Sequence, residues 1–317
     1  MTARVVVTDY TFPDVAAERK AATGADFAAL QCKTAADVAA AVAGADVVAV
    51  QFAPFGADAC AAVNPGATII RYGVGHDNID LNAARKAGLK VGYVPDYCAD
   101  EVAEHTAAAA LTLLRKLVPL DASVRAGDWA AVKHAKPLKP FKETMFGFFG
   151  MGQIGQAVLA RLKGFGFKFI TADPGLSAAQ AEAAGVTLVS ADTLLETADI
   201  ISLHAPATAQ TTNFFNAARL AQMQPHAMLV NSARGQLIVE DDLAAALDSG
   251  TIAGAALDVF HTEPLPENSS LRQAPNLLIT PHAAWYSEAA IDRLQGLVAQ
   301  DIARALAGQP PRRPVAL

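Results

Sequence analysis

The sequence has few cysteines, no long apolar run and no excess of basic charge. Its 317 residues include only Cys32, Cys60 and Cys98, at spacings that match neither a CxxC motif nor a set of metal ligands. An odd number of unpatterned thiols predicts a reducing compartment, and a cytoplasmic location is expected. The longest apolar stretch, from about Ala107 to Leu114, ends at Arg115-Lys116. It falls short of the roughly 18 residues that suggest a membrane span, so no membrane partner is expected. The opening residues reach Asp9 without the apolar core of a secretory signal, and none is expected. Lys and Arg number 25 against 31 Asp and Glu, a formal charge of -6, which gives no electrostatic motive for nucleic-acid binding. HExxH, Cys/His clusters, the P-loop and the GxSxG elbow are all missing, so no metal site is predicted.

What is present is apolar and alternating. Hydrophobic residues, largely alanine, make up 52% of the chain and charged residues 18%, enough for compact cores and against disorder. The length predicts two domains. Strand candidates begin with Arg4 to Thr8, Val47 to Val50, Thr68 to Ile70 and Leu89 to Tyr93. They continue with Met145 to Phe149, Lys168 to Ala172, Val186 to Val189, Asp199 to Leu203, Met228 to Asn231, Ala253 to Leu257 and Leu277 to Thr280. Short apolar strands separated by helices predict an α/β protein with doubly wound parallel sheets. One helix is predicted from an N-cap near Asp100 to about Lys116, another from Ser287-Glu288 to about Ala307. Because seven strand candidates lie between them, the predicted arrangement is an inserted nucleotide-binding domain, residues 99–285. The smaller, flavodoxin-like substrate domain comprises 1–98 and 286–317. The stretch from Pro119 to Pro140 shows little periodicity and is expected to be a loop or arm.

The fingerprint Gly150-Met151-Gly152-Gln153-Ile154-Gly155 follows the strand Phe146 to Phe149 and opens a helical pattern through Ile154, Val158 and Leu162. In a Rossmann unit Gly150 makes the tight turn, Gly152 admits the pyrophosphate and Gly155 packs the helix on the strand. Asp173 ends the next strand, where a carboxylate accepts ribose hydroxyls and repels a 2'-phosphate. No Arg or Lys follows in Pro174-Gly175-Leu176, so NAD rather than NADP is the expected cofactor.

Ligands of doubly wound sheets sit beyond the carboxyl ends of strands. The polar residues there are His204, Arg234, Asp258 with Glu263 five residues on, and His282. Reduction of a keto acid needs a cation for the carboxylate and carbonyl, a proton donor, and a group to orient that donor. Arg, His and Glu form such a set. Position alone does not choose between His204 and His282 as the acid. His76, His105, His134, His226 and His261 are read as structural or solvated.

With these residues assembled, the chain resembles the D-isomer-specific 2-hydroxyacid dehydrogenase family over nearly its whole length. The match rests on Arg71-Tyr72-Gly73-Val74-Gly75-His76-Asp77-Asn78-Ile79-Asp80, the Gly150 to Gly155 fingerprint and Asn231-Ser232-Ala233-Arg234-Gly235. It continues through Leu257-Asp258-Val259-Phe260, Glu263 and Pro281-His282. The resemblance implies Arg234 as the substrate-binding and carbonyl-polarising residue, His282 as acid/base and Glu263 as its partner. It places Gln153, Ile154, His204, Ala205, Pro206, Ser232 and Ala233 along the cofactor, and Asp258 at the nicotinamide carboxamide. Gly73 and Gly75 free the backbone around Val74 to grip a carboxylate. Asp80 is read as a helix N-cap with Gly88 at the other end.

Within the family, His282 to Glu288 together with Arg71 is similar to the C-terminal binding protein branch, which includes NAD-sensing corepressors as well as bacterial enzymes. That similarity implies Arg71 at the substrate carboxylate and Trp285 shaping the side-chain pocket. The expected activity is NAD-dependent 2-keto acid reduction, with a corepressor-like scaffold as the alternative; the lack of long extra tails favours the enzyme. Glyoxylate, hydroxypyruvate and phosphite oxidoreductases of the same family stay open, whereas Glu263 argues against a formate dehydrogenase. Lys142-Glu143-Thr144 departs from the glycine relatives often carry there. A homodimer joined through the nucleotide-binding domains is implied, with the 119–140 arm as a candidate contact.

Overall fold

The computed structural model describes residues 2–317. Contacts divide the chain into two compact units, Met1–Cys98 with Tyr286–Leu317, and Ala99–Trp285.

In the first unit, five parallel strands take the order β2-β1-β3-β4-β5: β1 Arg4–Val7, β2 Asp26–Ala29, β3 Val47–Val50, β4 Thr68–Arg71 and β5 Lys90–Tyr93. This is the flavodoxin-like order. The three central strands bury Val5, Val6, Val48, Val50, Ile69 and Ile70 completely, as parallel strands covered on both faces must. The edge strand β2 escapes the sequence reading because Asp26-Phe27-Ala28-Ala29 has no β-branched residue and stays partly exposed. The helix Glu288–Leu306 starts as expected, with the Ser287 side chain accepting the Ala290 N–H at 2.9 Å. Asp80 caps the helix Leu81–Lys86 through the Ala83 N–H, also at 2.9 Å, and Gly88 follows with φ +66°.

In the second unit, seven parallel strands take the order β12-β11-β10-β9-β6-β7-β8. They are β6 Met145–Phe149, β7 Lys168–Ala172, β8 Thr187–Leu188, β9 Ile200–Leu203, β10 Met228–Asn231, β11 Gly254–Leu257 and β12 Leu277–Ile279. Strand order reverses between β6 and β9, the switch point where open α/β sheets bind ligands. Separate apolar clusters cover the two faces, one around Leu195, Leu229 and Leu243, the other around Phe146, Phe148 and Val158.

Two local expectations are corrected. The first long helix spans Ala99–Leu114, so Asp100 lies in its opening turn and its carboxylate accepts Arg161 Nη2 at 2.7 Å. A first-turn carboxylate still complements the helix dipole without being the cap. The segment read as a loop or arm contains two helices, Leu117–Arg125 and Ala131–Ala135. Pro119 is tolerated because it falls in the first turn, where its missing N–H had no partner to lose.

Candidate active site

The register of the second sheet builds the site. Phe149 pairs with Leu203, so Gly150 and His204 emerge side by side at the switch point, and the His204 N–H donates to Phe149 O at 2.8 Å. Gly150 has φ +93°, and a Cβ there would lie 2.8 Å from Ala205 N, so glycine is obligatory. A Cβ on Gly155 would approach Gly150 O to 3.0 Å, whereas one on Gly152 would meet nothing within 4 Å. The turn is therefore closed against protein on two sides and open at Gly152, beside the N-terminus of the helix Gln153–Leu162. Exposed Gly152 and Gln153 with half-buried Ile154 leave a phosphate access to that helix end.

Asp173 does more than the sequence suggests. Its Oδ2 accepts the Met151 N–H and its Oδ1 the Gly175 N–H, both at 2.7 Å, pinning the fingerprint turn. Each oxygen retains a lone pair for a ribose hydroxyl. These residues suit a dinucleotide. Burial pushes the His204 imidazole down to about 3, so it stays neutral against Ser202 Oγ, 2.8 Å away. An imidazole held neutral at ordinary pH does not serve as the acid there.

At the other end of the edge, Asn231 pairs with Leu257 and Leu257 with Ile279, which sets Ser232, Asp258 and Thr280 in a row. The Asn231 side chain folds the next turn by accepting the Ala233 N–H at 3.0 Å and donating to Arg234 O at 2.8 Å. Gly235 presses this turn onto the segment leading to Glu263; a Cβ there would sit 2.0 Å from Phe260 C. Glu263 Oε1 accepts the Phe260 N–H at 2.9 Å, and Oε2 lies 2.6 Å from His282 Nδ1. Partial burial pushes the Glu263 carboxyl up. The His282 hydrogen bond and charge, the Phe260 N–H and the Arg234 charge more than offset it, and the net shift is downward. Glu263 is thus a carboxylate, and the proton shared between the two side chains rests on His282 Nδ1.

Asp258 is 2% exposed, and its carboxylate accepts Thr280 Oγ1, Ala283 N and Ala284 N at 2.5, 2.9 and 2.9 Å. Its main-chain oxygen accepts the His282 N–H at 2.7 Å. Together these bonds hold His282 at φ +51°, a left-handed conformation uncommon outside glycine. From the helix Ala99–Leu114, Thr106 meets Ser232 and His105 meets Thr280. Sequence reasoning missed this support, because a helix midpoint carries no strand-end signal.

Arg71, Gly73, Val74 and Gly75 lie in the first unit and every other predicted site residue in the second. Arg71 Nη1 donates to Tyr72 O, and its guanidinium lies 5.7 Å from the Phe52 ring. Gly73, at φ +134°, turns its N–H back to Arg71 O at 3.0 Å. Trp285 is half-buried. No helix among the described residues is long and apolar enough to cross a membrane, and none of their His, Cys, Asp and Glu side chains group as metal ligands.

Residues 107–284 match the D-isomer specific 2-hydroxyacid dehydrogenase, NAD binding domain. The chain belongs to the D-isomer-specific 2-hydroxyacid dehydrogenase family. It is 39% identical over 245 residues to a D-3-phosphoglycerate dehydrogenase of Synechocystis, a match covering 77% of this chain and 44% of that protein. This family member therefore spans under half the length of that relative. It is 36% identical over 251 residues to the glyoxylate reductase of Thermofilum pendens, covering 77% and 73% of the two chains. A D-lactate dehydrogenase from Aquifex aeolicus, complexed with NAD and lactic acid, matches with a TM-score of 0.87 and 26% identity over 96% of each chain. Residues 107–284, within the second unit, thus carry the family's NAD-binding domain. These similarities define the family rather than the C-terminal binding protein branch within it.

Proposed function

We propose that the protein is an NAD-dependent D-2-hydroxyacid dehydrogenase working as a reductase of small 2-keto acids. The observation that carries this reading is the His282–Glu263 pair at 2.6 Å, held at the carboxyl edge of the NAD-binding sheet with the Arg234 charge reaching Glu263. NADH, when bound, supplies the hydride. Gly150, Gly152, Gln153, Ile154, Gly155, Asp173, the His204-Ala205-Pro206 segment, Ser232, Ala233 and Asp258 would hold it. Arg234 binds the substrate carboxylate and polarises the carbonyl with its forked donors. His282 donates the proton from Nε2 while Glu263 keeps Nδ1 protonated and the ring oriented.

In the same proposal Arg71, Gly73, Val74 and Gly75 bind substrate and Trp285 selects its side chain. The protein works in the cytoplasm as a homodimer, for which the 119–140 arm offers exposed Trp129 and Val132, the tryptophan being 89% exposed. NADH oxidation with glyoxylate, pyruvate, hydroxypyruvate, phenylpyruvate and 4-methylthio-2-oxobutyrate, with NADPH in parallel, tests the reading. Saturable turnover preferring NADH supports it. NADH binding without turnover of any keto acid overturns it in favour of a corepressor-like scaffold or another oxidisable substrate such as phosphite.

A further inference from the structure

The loop that carries His282 is tied to the helix Ala99–Leu114 by one hydrogen-bonded chain of side chains. His105 Nε2 lies 3.1 Å from Thr280 Oγ1, and Thr280 Oγ1 donates to Asp258 Oδ1 at 2.5 Å. The directions follow from chemistry. A carboxylate only accepts, so the single hydroxyl proton of Thr280 goes to Asp258. The hydroxyl oxygen must then accept from His105, which fixes the Nε2–H form of that ring. Asp258 passes the constraint on through the N–H groups of Ala283 and Ala284, the two residues that follow the left-handed turn at His282. The His105 ring edge also stands 3.8 Å from the Asp258 carboxylate.

We propose that His105, acting through the Thr280 hydroxyl, is a positioning residue for the acid/base loop: its Nε2–H orients the hydroxyl that locks Asp258 and thereby sets the direction of His282. The inference rests on His282 being the acid/base group. Its effect falls on the chemical step, because a hydrogen bond two links from His282 alters where Nε2 of that ring points and leaves the fingerprint turn at Gly150–Gly155 untouched. The chain also explains a histidine at a helix position where backbone capping has no use for one.

Four variants and one spectrum test it. Thr280→Val and His105→Leu each break the chain and are expected to lower kcat about tenfold, roughly the worth of one hydrogen bond. KM for NADH should stay within about twofold. Thr280→Ser and His105→Gln restore a hydroxyl and a side-chain N–H donor and should recover most of the loss, which a packing role alone would not do. In the wild-type protein, 15N spectra of labelled histidine should show His105 protonated at Nε2, the signal being assigned by its absence in His105→Gln. Full kcat in His105→Leu, equal losses in His105→Leu and His105→Gln, or a ring protonated at Nδ1 alone would each overturn the proposal. Should wild-type protein turn over no keto acid, the functional reading fails on that result, and the histidine spectrum still decides whether the chain exists.

Discussion

Replacing Gly235 by alanine probes the joint between Arg234 and Glu263. The glycine has no positive φ, so the perturbation is steric alone. The new Cβ would lie 2.0 Å from Phe260 C, 2.2 Å from Phe260 O and 2.4 Å from His261 N, against an ordinary contact of 3.4 Å or more. Relief requires about 1.4 Å of movement between two backbone segments, and no flexible side chain is there to yield. Overpacking of this kind costs about 1–3 kcal/mol, and backbone on both sides puts it near the upper end. With a urea slope of roughly 1–3 kcal/mol per molar, the unfolding midpoint should fall by about 1 M or more. The same shift misplaces Arg234 against the His282–Glu263 pair, and about 1 Å of misplacement can lower turnover roughly 100-fold. Urea melts and keto-acid kinetics on Gly235→Ala read both effects. Gly164→Ala, whose Cβ would meet nothing within 4 Å, serves as the control. A Gly235→Ala protein as stable and active as the control would refute the joint.

Three further outcomes are expected. Gly296 lies inside the helix Glu288–Leu306 with nothing within 4 Å of a Cβ, so Gly296→Ala should raise stability by about 0.5–1 kcal/mol in a urea melt. The folded His204 imidazole titrates at about 3, below the ordinary 6.5. The unfolded chain therefore binds a proton below pH 6.5 that the folded chain refuses. Stability is full above that pH and declines by about 1.4 kcal/mol per unit as pH falls toward 3; His204→Gln should flatten this dependence in melts between pH 7 and 5. Asn231 is 1% exposed and folds the Arg234 turn by two hydrogen bonds, so Asn231→Ala should cost about 1–3 kcal/mol and lower kcat/KM for the keto acid more than it weakens NADH binding, as kinetics beside NADH titration would show.

The strands β1, β3 to β7 and β9 to β11 were legible because each carries a short, largely buried apolar stretch, β8 and β12 because theirs are apolar though only partly buried, and Gly150 and Asp173 because fixed spacing reports a fixed turn. Strand β2 was not, since an edge strand of Asp, Phe and two alanines carries no periodic signal. The helices at 117–125 and 131–135 were hidden by proline and by faces that stay exposed. In the site, strand ends pointed to His204, Arg234, Asp258 and His282 alike; the family resemblance singled out His282, and the environments of the two histidines differ. His204, half-buried, meets a hydroxyl, whereas His282 meets a carboxylate. The support from His105, Thr106 and Thr280 could not be read from spacing, because it depends on which helix face lies over β10 to β12.

The most direct test of the central claim is His282→Ala, assayed for NADH binding by calorimetry and for keto-acid reduction in the same preparation. The NADH affinity is expected to stay close to that of the wild-type protein with turnover abolished. Turnover that survives the substitution, or NADH binding lost together with it, would contradict the assignment of His282 as the proton donor.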